Sequence, residues 1–332
     1  MIRDSKPARR LITAAIMGLL MLCIGPLSIV SAASTAVAAD AIIKVNGEKV
    51  KMSGSEAFVF LNRMYVPAAR IAEAFGAKAS WDNDNEELTL HTALGDDIVL
   101  GNGVPVVYFN EERYRMDAYP FVKNGRLFIP LRQLADLLHA DMNTNETADV
   151  INLTAVKPAV VTEAYGLDEI SADFGIGKSM LLKRNGLSGN AVIKPGTKLK
   201  VAIPSFFDQA AKPYTEADYL LLAKITMVES GYESYAGQLA LANVILNRVK
   251  DPRFPDSVRD VIYSGRQFPP AHNGLLDRSK PNATALRAAK DALNGRNNIK
   301  NAVYFFNPDI STGSYWSSLD VVATIGHHRF AR

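Results

Sequence analysis

The sequence predicts a multidomain α+β protein. Three observations carry that reading: a unit repeated at a spacing of 63 residues, a short segment in which two helix patterns lie between strand patterns, and a C-terminal third opened by two helices that are apolar on nearly every side. At 332 residues the chain is longer than one small core organises. Its 48% hydrophobic and 21% charged residues suit globular domains and exclude a collagen-like or wholly disordered chain.

The first 39 residues read differently. Arg3, Lys6, Arg9 and Arg10 precede an apolar run from Leu11 to Val30, and the small-residue stretch SAASTAVAAD then offers an A-x-A site at Ala36-Val37-Ala38. This is the pattern of a secretory signal peptide over 1–39, with membrane contact only during export. The run approaches the length of a membrane anchor, but Pro26 and the small-residue tail favour removal. Four of the 37 basic and one of the 34 acidic residues lie in this segment, so the rest is charge-balanced. That balance gives no electrostatic footprint for nucleic acid. The single cysteine, Cys23, lies in the apolar run, which leaves the remainder without disulfides or thiolate metal sites.

The repeat defines a first domain over 41–155. NRMYVP at 62–67 and NGRLFIP at 124–130 each lead into a helix pattern, AARIAEAFGA and LRQLADLLHA, and then a strand pattern, EELTLH and DVINLT. Pro67 and Pro130 suit the start of a helix, where a missing N–H costs nothing. Asn46-Gly47 marks a hairpin turn before the first unit. These motifs resemble the stalk domain named after the N-terminal region of copper amine oxidases, with Trp81-Asp82 after Gly76-Ala77; Ala69 departs from an arginine that Arg132 keeps. The name implies copper, but His91 and His139 are isolated, so no cofactor or metal is expected and the domain reads as a spacer or binding unit.

Residues 158–204 read strand, helix, helix, strand. Leu167, Ile170 and Phe174 share one face of the first helix, Met180 to Leu182 fill the second, Asn185-Gly186 ends it, and Pro195-Gly196 turns into the alternating TKLKVAI. The spacing FGI, LLKRNGL, IKPGTKL resembles a LysM module, which implies binding to N-acetylglucosamine polymers. Ala164-Tyr165-Gly166 replaces the family's Gly-Asp-Thr turn. A generic βααβ linker domain is the alternative.

After a linker at 205–213, the last domain, 214–332, opens with Thr215 and Asp218 as a T-x-x-D helix start. A buried helix is expected to end near Ser230-Gly231, and a second to run from Tyr235 to Lys250 before DPRFP stops it. Glu229 then sits on the last turn of a buried helix. Apolar surroundings, the negative helix end and a nearby Glu233 would each raise its pKa, as a general acid requires. A helix-end glutamate paired with Arg248 or Lys224 explains the same residue.

The stretch LLAKITMVESGYESYAGQLALANVILNRVKDPRFPDSV, with Gln267-Phe268, AVYFFNP and IGHHRFAR, resembles the cell-wall hydrolase family that includes the spore-cortex-lytic enzymes. The resemblance implies a mainly helical, lysozyme-like domain with a small β lobe. It implies a secreted, wall- or spore-associated muramidase, usually a lytic transglycosylase, whose partner is the glycan strand of peptidoglycan. The acid position falls on Glu229. Glu233, Gln238, Gln267, Phe268, Tyr304, Asn307 and Trp316 are candidate substrate contacts, each with a bland reading as loop cap, turn or core residue. Val228, Ser230, Gly231-Tyr232 and Pro269 depart from the family pattern beside the acid. A water-using hydrolase and a non-catalytic wall-binding protein are the rival functions. His327 and His328 are not spaced as a metal pair, because adjacent residues point apart.

Overall fold

A computed structural model describes residues 36–37, 41–52, 57–146, 149–265 and 267–332. The predicted leader therefore lies outside the described residues except for Ala36–Val37, whose backbone pairs with Phe58–Phe60 at a sheet edge.

The repeat folds as a pseudo-symmetric pair. Helices α1 (Ala68–Ala74) and α2 (Leu131–Leu137) begin directly after Pro67 and Pro130. The strands that lead into them, Arg63–Pro67 and Arg126–Pro130, pair antiparallel at the centre of a five-stranded sheet, with Val66 opposite Ile129. A second sheet is a five-stranded meander from Lys78–Asp82 to Glu112–Arg115. In a third, the opening strand Ile42–Val45 runs parallel to the closing strand Val150–Ala155. The first unit is thus sealed by the last strand of the second, and one core runs through both, with Ile71, Leu90, Leu134 and Leu153 fully buried.

The next segment is a βααβ unit. Ala159–Val160 pairs with Lys198–Leu199 around α3 (Leu167–Asp173) and α4 (Lys178–Arg184), over a core of Ile170, Leu181 and Leu199. Phe174 does not join that core; it closes α3 and is 44% exposed. Gly186 ends α4 at φ +64°, the left-handed conformation glycine adopts without strain.

This unit is bolted to the stalk. Arg184, fully buried, sends Nη1 and Nη2 to the two oxygens of Asp96 at 2.9 and 2.7 Å, and Lys200 Nζ reaches the same carboxylate at 2.5 Å. Burial alone would raise the pKa of Asp96, but hydrogen bonds and charge from Arg184 outweigh it and lower the value. His139 joins the same seam. Its Nε2 accepts from the Ala202 N–H at 2.9 Å, and burial pushes its pKa down to about 4, so it sits there neutral.

The 205–213 segment is not a flexible tether. Phe206 and Phe207 are buried against Phe109 and Tyr114, and the backbone pairs along the meander edge through Arg115 N to Gln209 O and Ala211 N to Arg113 O. Two adjacent aromatic rings above a sheet edge with free N–H groups favour docking over extension.

The last domain is mainly helical: α5 (Glu216–Ser230), α6 (Tyr235–Lys250), α7 (Val258–Tyr263), α8 (Leu275–Arg278) and α9 (Ala283–Leu293), then strand Tyr304–Phe306, α10 (Ser314–Ser318) and the hairpin Val321–Ile325/His328–Ala331. Thr215 caps α5, accepting from Asp218 N at 3.0 Å. Helices α5, α6 and α9 share a core of Leu222, Ile225, Leu239 and Ala289, and the three strands form a small antiparallel lobe. The domain rests on the meander sheet: Asn294 Oδ1 accepts from Arg113, Lys290 pairs with Glu87 at 2.7 Å, and Arg287 with Glu86 at 2.6 Å.

Removing the carboxylate of Asp96 leaves Arg184 buried without a counter-charge. Asp96→Ala is expected to cost about 3–5 kcal/mol, read as a lower urea midpoint and early proteolysis between the stalk and the βααβ unit.

Candidate active site

The site forms where α5 stops. Gly231 is not a left-handed breaker; its φ is −62°. It is glycine because a Cβ there would lie 2.4 Å from the Met227 carbonyl oxygen. The chain therefore leaves α5 tightly and re-enters a helix at Tyr235, which places two glutamates on opposite sides of a short turn.

Glu229 lies half-buried on the last turn of α5. Its Oε1 is buried without a hydrogen-bond partner. Neither basic candidate reaches it: Lys224 donates to the Asp277 carbonyl and Arg248 Nε to the Val303 carbonyl. Burial raises its pKa, and burial rather than repulsion from Glu233 is the cause.

Glu233 has the opposite environment. It is 8% exposed, and its Oε1 accepts from the His327 N–H at 3.0 Å and faces the Nδ1 atoms of His327 and His328 at 2.9 and 3.4 Å. Burial would raise its pKa; the His327 hydrogen bonds and the two imidazoles outweigh that and lower it. Both histidines face this carboxylate because they follow the tight Gly326 turn of the hairpin. Two glycines make room for this carboxylate. A Cβ on Gly326 would fall 1.8 Å from Glu233 Oε2, and one on Gly237 would fall 2.8 Å from Glu233 Cβ. Glu233, expected from sequence as a substrate contact, is thus enclosed and ties the turn to the terminal hairpin.

Other expected contacts divide. Gln238, 1% exposed, donates to the Glu233 carbonyl at 2.9 Å and holds the same turn from below, so it is a loop brace. Phe268 is 0% exposed between the Phe305 ring and the Arg248 guanidinium, and therefore belongs to the core. Gln267 is exposed. Tyr304 packs edge-on against Phe254, while Trp316 packs on Phe306, all on one side of the β lobe; Phe305 faces the other way, towards Phe268 and His328. Asn307 is half-buried, and its Oδ1 accepts from Asp309 N at 2.9 Å, so its carbonyl serves the turn.

Sequence reading did not foresee the environments of Arg248, Thr226 and Tyr232. Arg248 is buried over the rings of Phe254 and Phe268, with Nη1 unpartnered and its pKa pushed down to about 10 by burial, partly offset by Tyr304 and Tyr315. Thr226, one turn before Glu229, is fully buried with its hydroxyl unpartnered. Tyr232 is exposed beside the His327 and His328 rings. A charged residue on a helix buried nearly all round was the available signal for Arg248.

Gly326→Ala combines a strained positive φ, worth about 1–3 kcal/mol, with a clash against Glu233, so it is expected to lower the melting temperature more than Glu233→Gln does. The lowered pKa of Glu233 also has a sign. Its contribution to stability is complete above the ordinary carboxyl range and is lost as pH falls through the folded value. Glu233→Gln should therefore flatten the acid limb of a urea-midpoint profile.

Residues 232–331 match the Cell Wall Hydrolase family model, and 43–153 match the Copper amine oxidase N-terminal domain model. Spore cortex-lytic enzymes are similar over the C-terminal part: that of Bacillus cereus is 40% identical across 36% of this chain and 46% of its own, and that of Bacillus subtilis 38% identical across 35% and 38%. The chain spans less than half the length of these relatives. The catalytic domain of the germination-specific lytic transglycosylase SleB from Bacillus anthracis is 37% identical, covering 37% of this chain and 100% of that one, with a TM-score of 0.35. The chain carries a cell wall hydrolase domain at 232–331, preceded at 43–153 by a copper amine oxidase N-terminal domain.

Proposed function

We propose that the protein is a peptidoglycan-cleaving lytic transglycosylase acting on the bond between N-acetylmuramic acid and N-acetylglucosamine. One observation carries the reading: Glu229 is a half-buried carboxyl with an unpartnered oxygen and a raised pKa. Such a group holds its proton towards neutral pH and can donate it to a glycosidic oxygen. The C1–O bond of the muramoyl residue breaks as that proton arrives. The resulting carboxylate then takes the proton of the C6 hydroxyl, whose oxygen closes on C1 to give a 1,6-anhydro end. No water is consumed and Glu229 is protonated again.

The second carboxylate favours this scheme over hydrolysis. A two-carboxylate glycosidase needs its second group open to water or to the sugar. Glu233 is enclosed by His327, His328 and Gly326 instead. The unpartnered Nη1 of Arg248 supplies a donor for a sugar oxygen. The βααβ unit serves as a LysM-like glycan-binding module, and the protein works outside the cell on spore cortex or wall. The curated relatives' description as spore cortex-lytic enzymes supports that setting.

Glu229→Gln is expected to lower release of anhydro-muropeptides from purified wall by about 10²–10⁴-fold, measured by mass spectrometry. Products carrying an added water would instead assign hydrolysis. Because the acid must be protonated, activity should fall as pH rises through the raised pKa of Glu229, with the alkaline limb above the ordinary carboxyl range.

A further inference from the structure

The turn between α5 and α6 carries an exposed aromatic ring that the proton chemistry of Glu229 does not use. The Glu233 N–H donates to the Ser230 carbonyl at 2.9 Å, which closes a turn with Gly231 and Tyr232 at its tip. Tyr232 is 68% exposed there. A single exposed apolar side chain is ordinary and by itself marks nothing. This ring differs in how firmly its backbone is held and in the groups that surround it.

The turn is fixed from two sides. Gln238 Nε2 donates to the Glu233 carbonyl at 2.9 Å, and Glu233 Oε1 ties the turn to the N–H and Nδ1 of His327 at 3.0 and 2.9 Å. The Tyr232 ring lies against both imidazoles, its centre 5.9 Å from that of His327 and 6.3 Å from that of His328. Each imidazole is in turn oriented by Glu233 through its Nδ1. A tyrosine has only two side-chain rotations, so on a braced turn it loses little freedom when a ligand covers it.

The ring also lies beside the acid. Partial burial, and after it the charges of Glu233 and Glu229, raise the pKa of the Tyr232 hydroxyl, which puts both carboxyls within electrostatic reach of it. The polar groups around the aromatic face are the Glu229 carboxyl, with its unpartnered oxygen, and the His327 side chain, 66% exposed. A pyranose has the complementary pattern, an apolar C–H face rimmed by hydroxyls. We propose that Tyr232 is the stacking platform for a sugar ring of the glycan strand next to the bond that Glu229 cleaves. Choosing a sugar as the ligand rests on the wall-cleaving function proposed above. Tyrosine suits the task because its body is apolar and its tip polar. Gly231-Tyr232 departs from the family pattern, so the platform is a specificity feature of this chain. Stacking of equal strength before and during bond cleavage acts on substrate binding and leaves the chemical step alone.

The test places a fluorotyrosine at position 232 of the full chain carrying Glu229→Gln, so that nothing turns over and this ring alone reports by fluorine NMR. Titration with a peptide-free tetrasaccharide of alternating N-acetylglucosamine and N-acetylmuramic acid should give a saturable shift of that resonance. Binding at the distant βααβ unit leaves the resonance unmoved, so the two sites are read apart. With Glu229 intact, Tyr232→Ala should raise KM for soluble, uncrosslinked peptidoglycan by about tenfold while kcat holds. Tyr232→Phe, which keeps the ring and loses the hydroxyl, should restore KM. Circular dichroism should be the same for all three chains. No saturable shift, an unchanged KM in Tyr232→Ala, or a Tyr232→Phe chain as impaired as Tyr232→Ala would overturn the platform. A saturable shift without cleavage of any wall by the intact chain refutes the proposed activity and keeps the platform; cleavage without a shift does the reverse.

Discussion

The C-terminal site depends on the clamp around Glu233. One carboxylate oxygen takes the His327 N–H and faces two imidazoles, tying the turn between α5 and α6 to the terminal hairpin. The charge of Glu233 is settled locally, so it adds nothing to Glu229 only four residues away. Two identical side chains therefore acquire opposite protonation preferences from burial and partners alone. Gly237 and Gly326 follow as consequences, since any Cβ at either position would occupy the space the clamp needs.

A second constraint acts between domains. The Asp96 carboxylate, bridged by Arg184 and Lys200, fixes the βααβ unit on the stalk, and Phe206 and Phe207 fix the chain that follows. Arg113, Lys290 and Arg287 then seat the C-terminal domain on the meander sheet. A binding module joined by a flexible linker raises local concentration. A docked unit instead keeps one orientation relative to the domain that follows.

Much of this was legible in the residues. The proline-led helices of the repeat, the cap at Thr215 and the extents of α5 and α6 follow from periodicity and capping chemistry, which are local. Glu229 stood out because the family resemblance places the acid there; the end of an apolar helix alone left a helix-end ion pair equally open. The roles of Glu233 and Phe268 were not legible, because they depend on His327 and Phe305, far along the chain; that of Gln238 depends on how the turn five residues before it folds back. A motif marks that a residue is needed, and does not distinguish touching the substrate from bracing the loop that does. Docking of the 205–213 segment was hidden for the same reason, since its aromatic pair is covered by Phe109 and Tyr114 of a distant strand pair.

The division of labour between the two glutamates can be read directly by carbon-13 NMR of the side-chain carboxyls across a pH titration of the intact protein. The account predicts that Glu229 titrates above the ordinary glutamate range and Glu233 below it. Coincident titration, or Glu233 titrating at the higher pH, would contradict it.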